Sequence, residues 1–591
     1  MSSEKAESIT KDVEAGGLAR TASRTSDGSV PLGVVTVEAS NKVYGTYSKW
    51  ALFISLGLAA YIYSLDGTTT YTYLAYVTSS FERHAFIATI QVAQSIIVAC
   101  GKPVIAKIAD VGSRGTAYAF VLLFYVVGYI VIASANSVET VAGGIILYAI
   151  GYTGLQLLTQ IIIADMTTLK WRGLVSGLIS LPFVVNAFVG ANISASILQR
   201  SGWRWGYGMF AILVPAALSP LIITLLWAER KARKLNLSPA SSAPAHQESF
   251  VQRLRTTASR LDVIGLLLIG ASTALILLPI TLSKTATGGW NNASMIAMVT
   301  IGCVFIPAYV FYEFKFAAHP VVARRFVFNR SVVISCLVGA FDFVSFYISY
   351  TYLYSFVYVV KPWSLLNLNY FSQTQTVALT VFGIMGGVLM RFVHRSKPIL
   401  VVGLAIRVLG CGLMIHSRGA NASDVEIVFS QIIQGIGGGF AAVSLQVSAQ
   451  AAVPHADVAV VTSLVLLITE IGGAIGTAIS GGIWSHMMPA RLAHHLPFLS
   501  DADRALLFGS IYGATQFPRG NPVREGVILA YDDVMKILTI VATVFGAVPL
   551  VISFWMPNWY LGDQQNAVDN VGLSGERVGN PDVDEEMSEK R

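Results

Sequence analysis

Long apolar runs separated by short polar segments recur along most of the chain between residues 48 and 557. A helix needs about 20 mainly apolar residues to cross the roughly 30 Å hydrocarbon core of a bilayer. Fourteen runs meet that length, so the pattern predicts fourteen transmembrane helices. Their approximate positions are 50–75, 86–106, 116–135, 140–162, 174–198, 207–227, 262–283, 294–314, 331–358, 375–393, 398–416, 425–449, 459–484 and 535–557.

The composition is typical of an integral membrane protein. Hydrophobic residues make up 54% and charged residues 12% of the sequence, whereas a soluble domain carries about 25% charged residues. We therefore expect an all-α integral membrane protein whose main surroundings are the lipid bilayer. The net charge of +7 is attributed to loops that set membrane orientation, and no nucleic-acid partner is expected.

No arrangement of residues typical of catalysis stands out in the sequence. There is no phosphate-binding lysine loop, no nucleophile elbow and no His/Cys cluster with zinc spacing. We therefore expect a protein that is not an enzyme and holds no metal or cofactor of its own. Work done by such a chain would be driven by an ion gradient rather than by ATP.

The polar segments predict the orientation of the chain. Loops on the side of the two termini carry most of the Lys and Arg residues, so the positive-inside rule predicts that both termini are cytosolic. Residues 1–47 and the acidic 558–591 are interpreted as cytosolic tails, and 228–261 as a cytosolic linker. The outer loop 485–533 is either a functional lid or a passive connection, since loops of this length are functional or disordered.

An internal repeat relates the two halves of the chain. In the first span Asp66 precedes a run of tyrosines, and in the ninth span Asp342 does the same at similar spacing. Two further echoes follow in the same order, which predicts a 6+2+6 plan: a bundle at 48–227, two inserted helices at 262–314 and a bundle at 331–557. Two parallel six-helix halves are the architecture of the major facilitator fold, whose substrate path runs between the halves.

A loop after the second span, "AKIADVGSRG", resembles the major facilitator motif G-x-L-A-D-R-x-G-R-K. Asp110, Gly112 and Arg114 match it, whereas Ala106 stands where that family prefers glycine. The resemblance implies that these residues form a conformational latch between inward- and outward-facing states.

Several longer segments resemble the fungal siderophore–iron transporter family. They are "LDGTTTYTY", "LLTQIIIADMTTLKWRGL", "GWRWGYGMF", "IIQGIGGGF" and "ITEIGGAIGTAISGGIW". The resemblance covers about residues 45–560. It implies proton-coupled import of ferric siderophores by a monomer in the plasma membrane or an endosomal vesicle of a fungus.

Two other functions stay open on the sequence. Fourteen spans also suit a drug/proton or glutathione-type antiporter, although the fifth span lacks the Gly-Pro pair of the drug antiporters. The long tails would suit a nutrient sensor built on a transporter scaffold.

Four charged residues fall well inside predicted spans, away from the span ends: Asp66, Asp342, Arg407 and Glu470. A charge at the centre of a bilayer costs at least about 2.5–3.5 kcal/mol, so such residues usually face the bundle interior or water. They are our candidates for proton coupling. Arg407 has three possible acidic partners, and the sequence does not choose among them.

The tyrosines after the two aspartates are candidates for the wall of a substrate cavity, because tyrosine offers an apolar face and a polar tip. The alternative is an aromatic belt at the membrane interface. The candidate cavity residues are Thr70, Tyr71, Tyr73, Tyr76, Tyr347, Tyr350 and Tyr352.

Overall fold

Long α-helices account for most of the computed structural model. The only β pairing among the described residues is an isolated bridge between Arg395 and Tyr560. The structure describes residues 36–37, 39–40, 43–81, 86–111, 113–235, 262–282, 288–317, 320–419, 422–509 and 511–568.

The helices carry the following bounds. They are α1 (Thr46–Ser80), α2 (Phe86–Val111), α3 (Arg114–Ala133), α4 (Val138–Met166), α5 (Leu169–Ile179), α6 (Pro182–Arg200), α7 (Gly202–Lys234), α8 (Val263–Leu282), α9 (Ala293–Lys315), α10 (Arg324–Val327), α11 (Arg330–Tyr350), α12 (Leu353–Val360), α13 (Leu365–Val393), α14 (Lys397–Ser417), α15 (Asp424–Ala451), α16 (Val458–His495), α17 (Asp501–Gly509), α18 (Ile511–Thr515) and α19 (Pro522–Ser553).

Thirteen stretches of the described residues are long and apolar enough to cross a membrane. The predicted second span is not among them, although it forms the 26-residue helix α2, which carries Lys102, Lys107 and Asp110. Helix α2 packs against α4 and α16, two of the thirteen. The number fourteen therefore stays a prediction.

Packing divides the long helices into two groups. In the first, which we call the N bundle, α3 packs against α4 and α7, while α1 packs against α6 and α7. In the second, the C bundle, α14 and α13 pack against α15, and α11 packs against α16 and α19. Helices α8 and α9 pack on each other, and α8 lies against α2 and α16.

The two bundles meet along two seams. Helix α2 packs against α16, and α5 and α6 pack against α13. At the second seam the backbones touch, because a Cβ added to Gly387 would lie 2.5 Å from the carbonyl carbon of Gly173. Small residues permit such close approach between membrane helices. This contact closes the bundles together at one end.

That end, which we call the terminal face, carries the loops at 111–114, 166–169, 393–397 and 451–458. The loop at 485–533 lies at the opposite end and is largely helical. Helix α16 continues to His495 rather than ending near residue 484, and α17 and α18 follow. Leu496, Leu507 and Ala514 are buried against the C bundle, so this loop packs on the helices that it connects.

Candidate functional site

Asp66 lies in the interior of the N bundle and is fully buried. Its carboxylate accepts hydrogen bonds from the hydroxyls of Tyr125 and Tyr129 on α3, and from Tyr148 on α4 at 2.9 Å. Hydrogen bonds to an ionised carboxylate are about twice as strong as neutral ones. Three phenols therefore take the place that a cation would otherwise hold.

Two glycines allow the three phenols to converge. A Cβ added to Gly128 on α3 would lie 2.5 Å from the backbone nitrogen of Tyr148, and one added to Gly151 on α4 would lie 2.7 Å from Cα of Tyr125. The backbones of α3 and α4 are thus too close for any side chain at these two positions. This close crossing of α3 and α4 brings tyrosines from both helices to the Asp66 carboxylate of α1.

A tract of tyrosines extends from Asp66 toward the seam between the bundles. The rings of Tyr148 and Tyr152 lie 5.6 Å apart, centroid to centroid. The hydroxyl of Tyr63 then donates to the hydroxyl of Tyr152 at 3.0 Å. The ring of Tyr63 also packs edge-on against Phe183 of α6, with the ring centroids 5.8 Å apart.

Glu470 forms an ion pair that joins the two bundles. Its Oε1 lies 2.8 Å from Nζ of Lys102, so α16 of the C bundle is bonded to α2 of the N bundle. The Lys102 side chain is fully buried, and that of Glu470 is 18% exposed. A buried ion pair is costly to break by removing one partner, because the other charge is left uncompensated. Separation of the bundles at this seam must therefore deal with both charges.

Asp342 pairs inside the C bundle. Nε of Arg407 on α14 lies 2.7 Å from Oδ1 of Asp342 on α11, and the guanidinium also sits 5.6 Å above the ring of Phe346. Asp66 and Asp342, which the predicted repeat places at equivalent positions, thus differ in their partners. The structure selects Asp342 from the three possible partners of Arg407.

Thr70 and Tyr73, which follow Asp66 on α1, face the interior of the N bundle. Tyr73 is fully buried against Gly206 and packs on Tyr207. The hydroxyl of Thr70 donates to the backbone carbonyl of Asp66 at 2.8 Å. The side chains of Tyr71 and Tyr76 lie outside the described residues.

The corresponding tyrosines of the C bundle are half-buried between helices of that bundle. Tyr347 packs against Gly473, Tyr350 donates to the carbonyl of Ser372 at 3.2 Å, and Tyr352 stacks on Trp484 with centroids 4.1 Å apart. These tyrosines and Tyr73 therefore have neighbours within their own bundles in this conformation.

A groove of about 630 Å³ lies where α6, α13 and α15 meet. Its described lining includes Phe188, Tyr370 and Val381, and none of the predicted cavity tyrosines. Val381 belongs to an exposed stripe of α13 that continues at helical spacing through Met385 and Leu389. The groove therefore lies at the seam of α6 with α13, and the tyrosines of the tract do not line it.

The predicted latch forms an ion-pair network at the terminal face. Ser113 caps α3, which places Arg114 in the first turn, where the helix dipole disfavours a cation. Two carboxylates offset this, since Arg114 lies 2.8 Å from Asp110 and 2.9 Å from Asp165. Asp165 also lies 3.6 Å from Nε2 of His455 in the C bundle. Gly112 lies outside the described residues.

Sequence reasoning misses Lys102, Asp165 and the three tyrosines around Asp66. Lys102 stands near the end of the predicted second span, where lysine can reach the interface by extending its side chain. The segment "LLTQIIIADMTTLKWRGL" resembles the transporter family, yet the resemblance gives its aspartate no role. The signal that could have indicated a role for Asp165 is its position directly after an apolar run and close in sequence to Arg172.

The sequence is similar to known membrane transporters over most of its length. Residues 56–477 match the Major Facilitator Superfamily. The siderophore iron transporter mirC of Emericella nidulans is 36% identical over 554 residues, covering 93% of this chain and 91% of that protein. The chain belongs to the siderophore–iron transporter family of the major facilitator superfamily.

The chain is also similar to the low affinity heme transporter str3 of Schizosaccharomyces pombe. It is 36% identical over 549 residues, covering 91% of this chain and 87% of that protein. A solved structure, that of a mutant of the peptide transporter POT, shares 16% identity with a TM-score of 0.51 and covers 91% of this chain and 99% of that one. The predicted all-α major facilitator fold is confirmed.

Proposed function

We propose that this siderophore–iron transporter family member imports ferric siderophores of the hydroxamate type into a fungal cell, driven by a proton gradient. The observation that carries the proposal is the similarity to a siderophore iron transporter along nearly the whole of both chains. Cargo would pass between the N and C bundles, which rock about the seams formed by α2 with α16 and α5/α6 with α13.

The positive-inside rule supports a cytosolic terminal face. At that face the bundles touch at Gly173 and Gly387, and the Asp165 network reaches His455 of the C bundle. This supports a conformation closed to the cytosol. Cargo would then be released only after these contacts part.

We assign proton coupling first to Glu470. Its partner Lys102 is on the other bundle, so the charge state of the carboxylate bears directly on whether the bundles hold together. A proton on Glu470 would remove one charge of the pair, and the pair could then separate without two opposite charges parting in a medium of low dielectric constant. Asp66 is a second candidate carrier, because the tyrosine tract leads from its carboxylate to the half-buried Tyr152 and Tyr63.

Arg407 and Asp342 are assigned a different role. Both lie in the C bundle, so their pair does not have to break when the bundles rock. We propose that this pair holds α11 to α14. For cargo contact, the half-buried Tyr63 and Tyr152 are better placed than Thr70 and Tyr73, which are buried within the N bundle.

A second candidate cargo is haem, because a relative with equal identity is named a heme transporter. Haem and ferric hydroxamates are both bulky iron chelates, and the fold would carry either along the same path. The two differ in charge and in the flat aromatic surface that haem offers to tyrosine rings.

Uptake assays separate these candidates. The chain would be expressed in a fungal strain that lacks its own siderophore transporters and given ⁵⁵Fe-labelled ferrichrome, coprogen or fusarinine, or labelled haem, at acidic outside pH. We expect accumulation of at least one ferric hydroxamate, abolished by a protonophore. Accumulation of haem alone would reject the siderophore proposal, and uptake indifferent to the protonophore would reject proton coupling.

A further inference from the structure

The chain crosses between the bundles once more after its last helix. Residues 559–567, which we call the strap, run along the terminal face beyond the end of α19. Leu561 and Gln564 of the strap are almost completely buried. The strap therefore packs as part of the membrane domain, although its sequence belongs to a region expected to be a polar tail.

Both ends of the strap are bonded to the C bundle, and at the far end the backbone nitrogen of Ala567 donates to the carbonyl of Ala451 at 3.1 Å. Trp559 Nε1 donates to Ser331 Oγ at 3.0 Å, and the backbone nitrogen of Leu561 donates to the carbonyl of His394 at 2.9 Å. These partners belong to the bundle from which the strap emerges. Such bonds can stay intact when that bundle moves as a body.

Between its ends, at residues 562–565, the strap is bonded to the N bundle. Backbone nitrogens of Leu169 and Lys170 donate to the carbonyls of Gln564 and Gly562 at 2.9 and 3.0 Å. Arg172 Nη2 donates to the carbonyl of Gln565 at 2.7 Å. These bonds join opposite bundles and must break if the bundles part at this face.

Gln565 also joins the latch network. Its Nε2 donates to the backbone carbonyl of Asp165 at 3.3 Å and lies 3.3 Å from Nε2 of His455. Asp165 belongs to the N bundle and His455 to the C bundle, so one side chain of the strap touches both. The strap thus closes over the ion pairs around Arg114.

In the closed arrangement some buried hydrogen-bond donors next to the strap have no acceptor, which is consistent with a contact that opens and closes. Arg172 is fully buried, yet within the described part of the chain its Nε and Nη1 have no hydrogen-bond partner. Its Nη2 donates to three backbone carbonyls, one of them from the strap. Burying a cation whose donors lack acceptors costs free energy, and this cost offsets part of the stabilisation that the Arg172 hydrogen bonds give to the closed state.

From these contacts we propose that the strap is a lock on the terminal-face gate, and that its N-bundle contacts are made and broken in every transport cycle. The lock concerns bundle movement and does not depend on which cargo is carried. Its C-bundle contacts act only as an anchor. The two sets of contacts therefore have different predicted fates, and this difference can be tested.

The test uses reversible crosslinks in the full chain, after its four cysteines have been replaced by alanine and uptake shown to persist. One crosslink joins the strap to the N bundle through K170C and D563C, residues whose native charges lie 3.5 Å apart. The matched control joins the strap to its own bundle through R395C and Y560C, which form the isolated bridge. Each is closed with a short bifunctional methanethiosulfonate and reopened with reductant.

We expect the first crosslink to reduce uptake to the level of cells lacking the protein, with recovery on reduction, and the control crosslink to leave uptake unchanged. Unchanged uptake with the first crosslink closed would overturn the proposal. So would equal arrest by both crosslinks, because the strap would then be a static brace rather than a one-sided lock.

A second readout separates the lock from the proposed cargo. Val443 of α15 is half-buried against Gly173, so a cysteine at 443 should react faster with a membrane-impermeant thiol reagent once the bundles part. For this readout V443C is alkylated in inside-out vesicles with the K170C–D563C pair already crosslinked or left reduced. We expect crosslinking to slow labelling of V443C even if no tested siderophore is transported, and an equal labelling rate with the pair crosslinked or reduced would reject the lock.

Discussion

Nζ of Lys102 and Oε1 of Glu470 lie 2.8 Å apart and belong to different bundles. The two residues are separated by 368 positions in the sequence. In a protein that works by moving two bundles relative to each other, an ion pair across the seam is a contact whose strength sets the cost of movement. Protonation of Glu470 is the simplest change that lowers that cost.

Glu470→Gln is expected to separate exchange from accumulation. Glutamine keeps the size of the side chain and its capacity for hydrogen bonding to Lys102, but it cannot bind a proton. Accumulation of cargo against its gradient should be lost, while exchange of labelled for unlabelled cargo across the membrane should persist. Both are measured in vesicles with an imposed pH gradient.

Asp424→Asn is the control for that variant. Asp424 pairs with Lys361 at 3.0 Å, and both residues are in the C bundle and its adjoining loop, so the same change of carboxylate to amide leaves the seam untouched. We expect gradient-driven accumulation by this variant. If Glu470→Gln accumulated cargo equally well, Glu470 would not be the coupling residue.

Arg407→Met is expected to destabilise the C bundle without changing coupling. Loss of one partner of a buried ion pair costs about 3–5 kcal/mol, whereas apolar or neutral replacement of both partners is often close to neutral. The double variant Asp342→Asn with Arg407→Met should therefore recover part of the lost thermal stability in detergent. A double variant that is less stable than Arg407→Met would contradict the assignment of this pair to packing.

Tyr129→Phe is expected to cost more stability than Tyr118→Phe. Both tyrosines are fully buried on α3, but Tyr129 donates to the Asp66 carboxylate, whereas Tyr118 bonds the neutral hydroxyl of Thr159 at 3.2 Å. Loss of a hydrogen bond to a charged group costs about 1.5–3 kcal/mol and loss of a neutral one about 0.5–1.5 kcal/mol. Thermal unfolding of the purified variants measures the difference, and equal losses would indicate that Asp66 is protonated in the folded protein.

The sequence is sufficient to place thirteen of the fourteen predicted spans and to single out the four charges that lie far from the span ends, although it misses Lys102. Each apolar run is a local signal, and a charge inside such a run stands out because it is costly. The same reasoning does not supply the partners of those charges. Arg407 finds Asp342 and Glu470 finds Lys102 through packing between distant helices, which local patterns do not encode.

The tyrosine stripe shows a related limit. Helical periodicity correctly indicates that Asp66, Thr70 and Tyr73 share one side of a helix. It does not tell whether that side meets the central path or the neighbouring helices of the same bundle. In the structure it meets α3, α4 and α7, whose tyrosines look in the sequence like ordinary aromatics of apolar runs.

The contact between Gly173 and Gly387 has a practical consequence for studying the transport cycle. Because a single added carbon at residue 387 would collide with backbone, Gly387→Ala should act as a wedge that excludes the closed arrangement and leaves other arrangements free. Electron cryomicroscopy of that variant should show a cytosol-open particle in the absence of cargo. One methyl group would thereby make a short-lived stage of the cycle available for direct imaging.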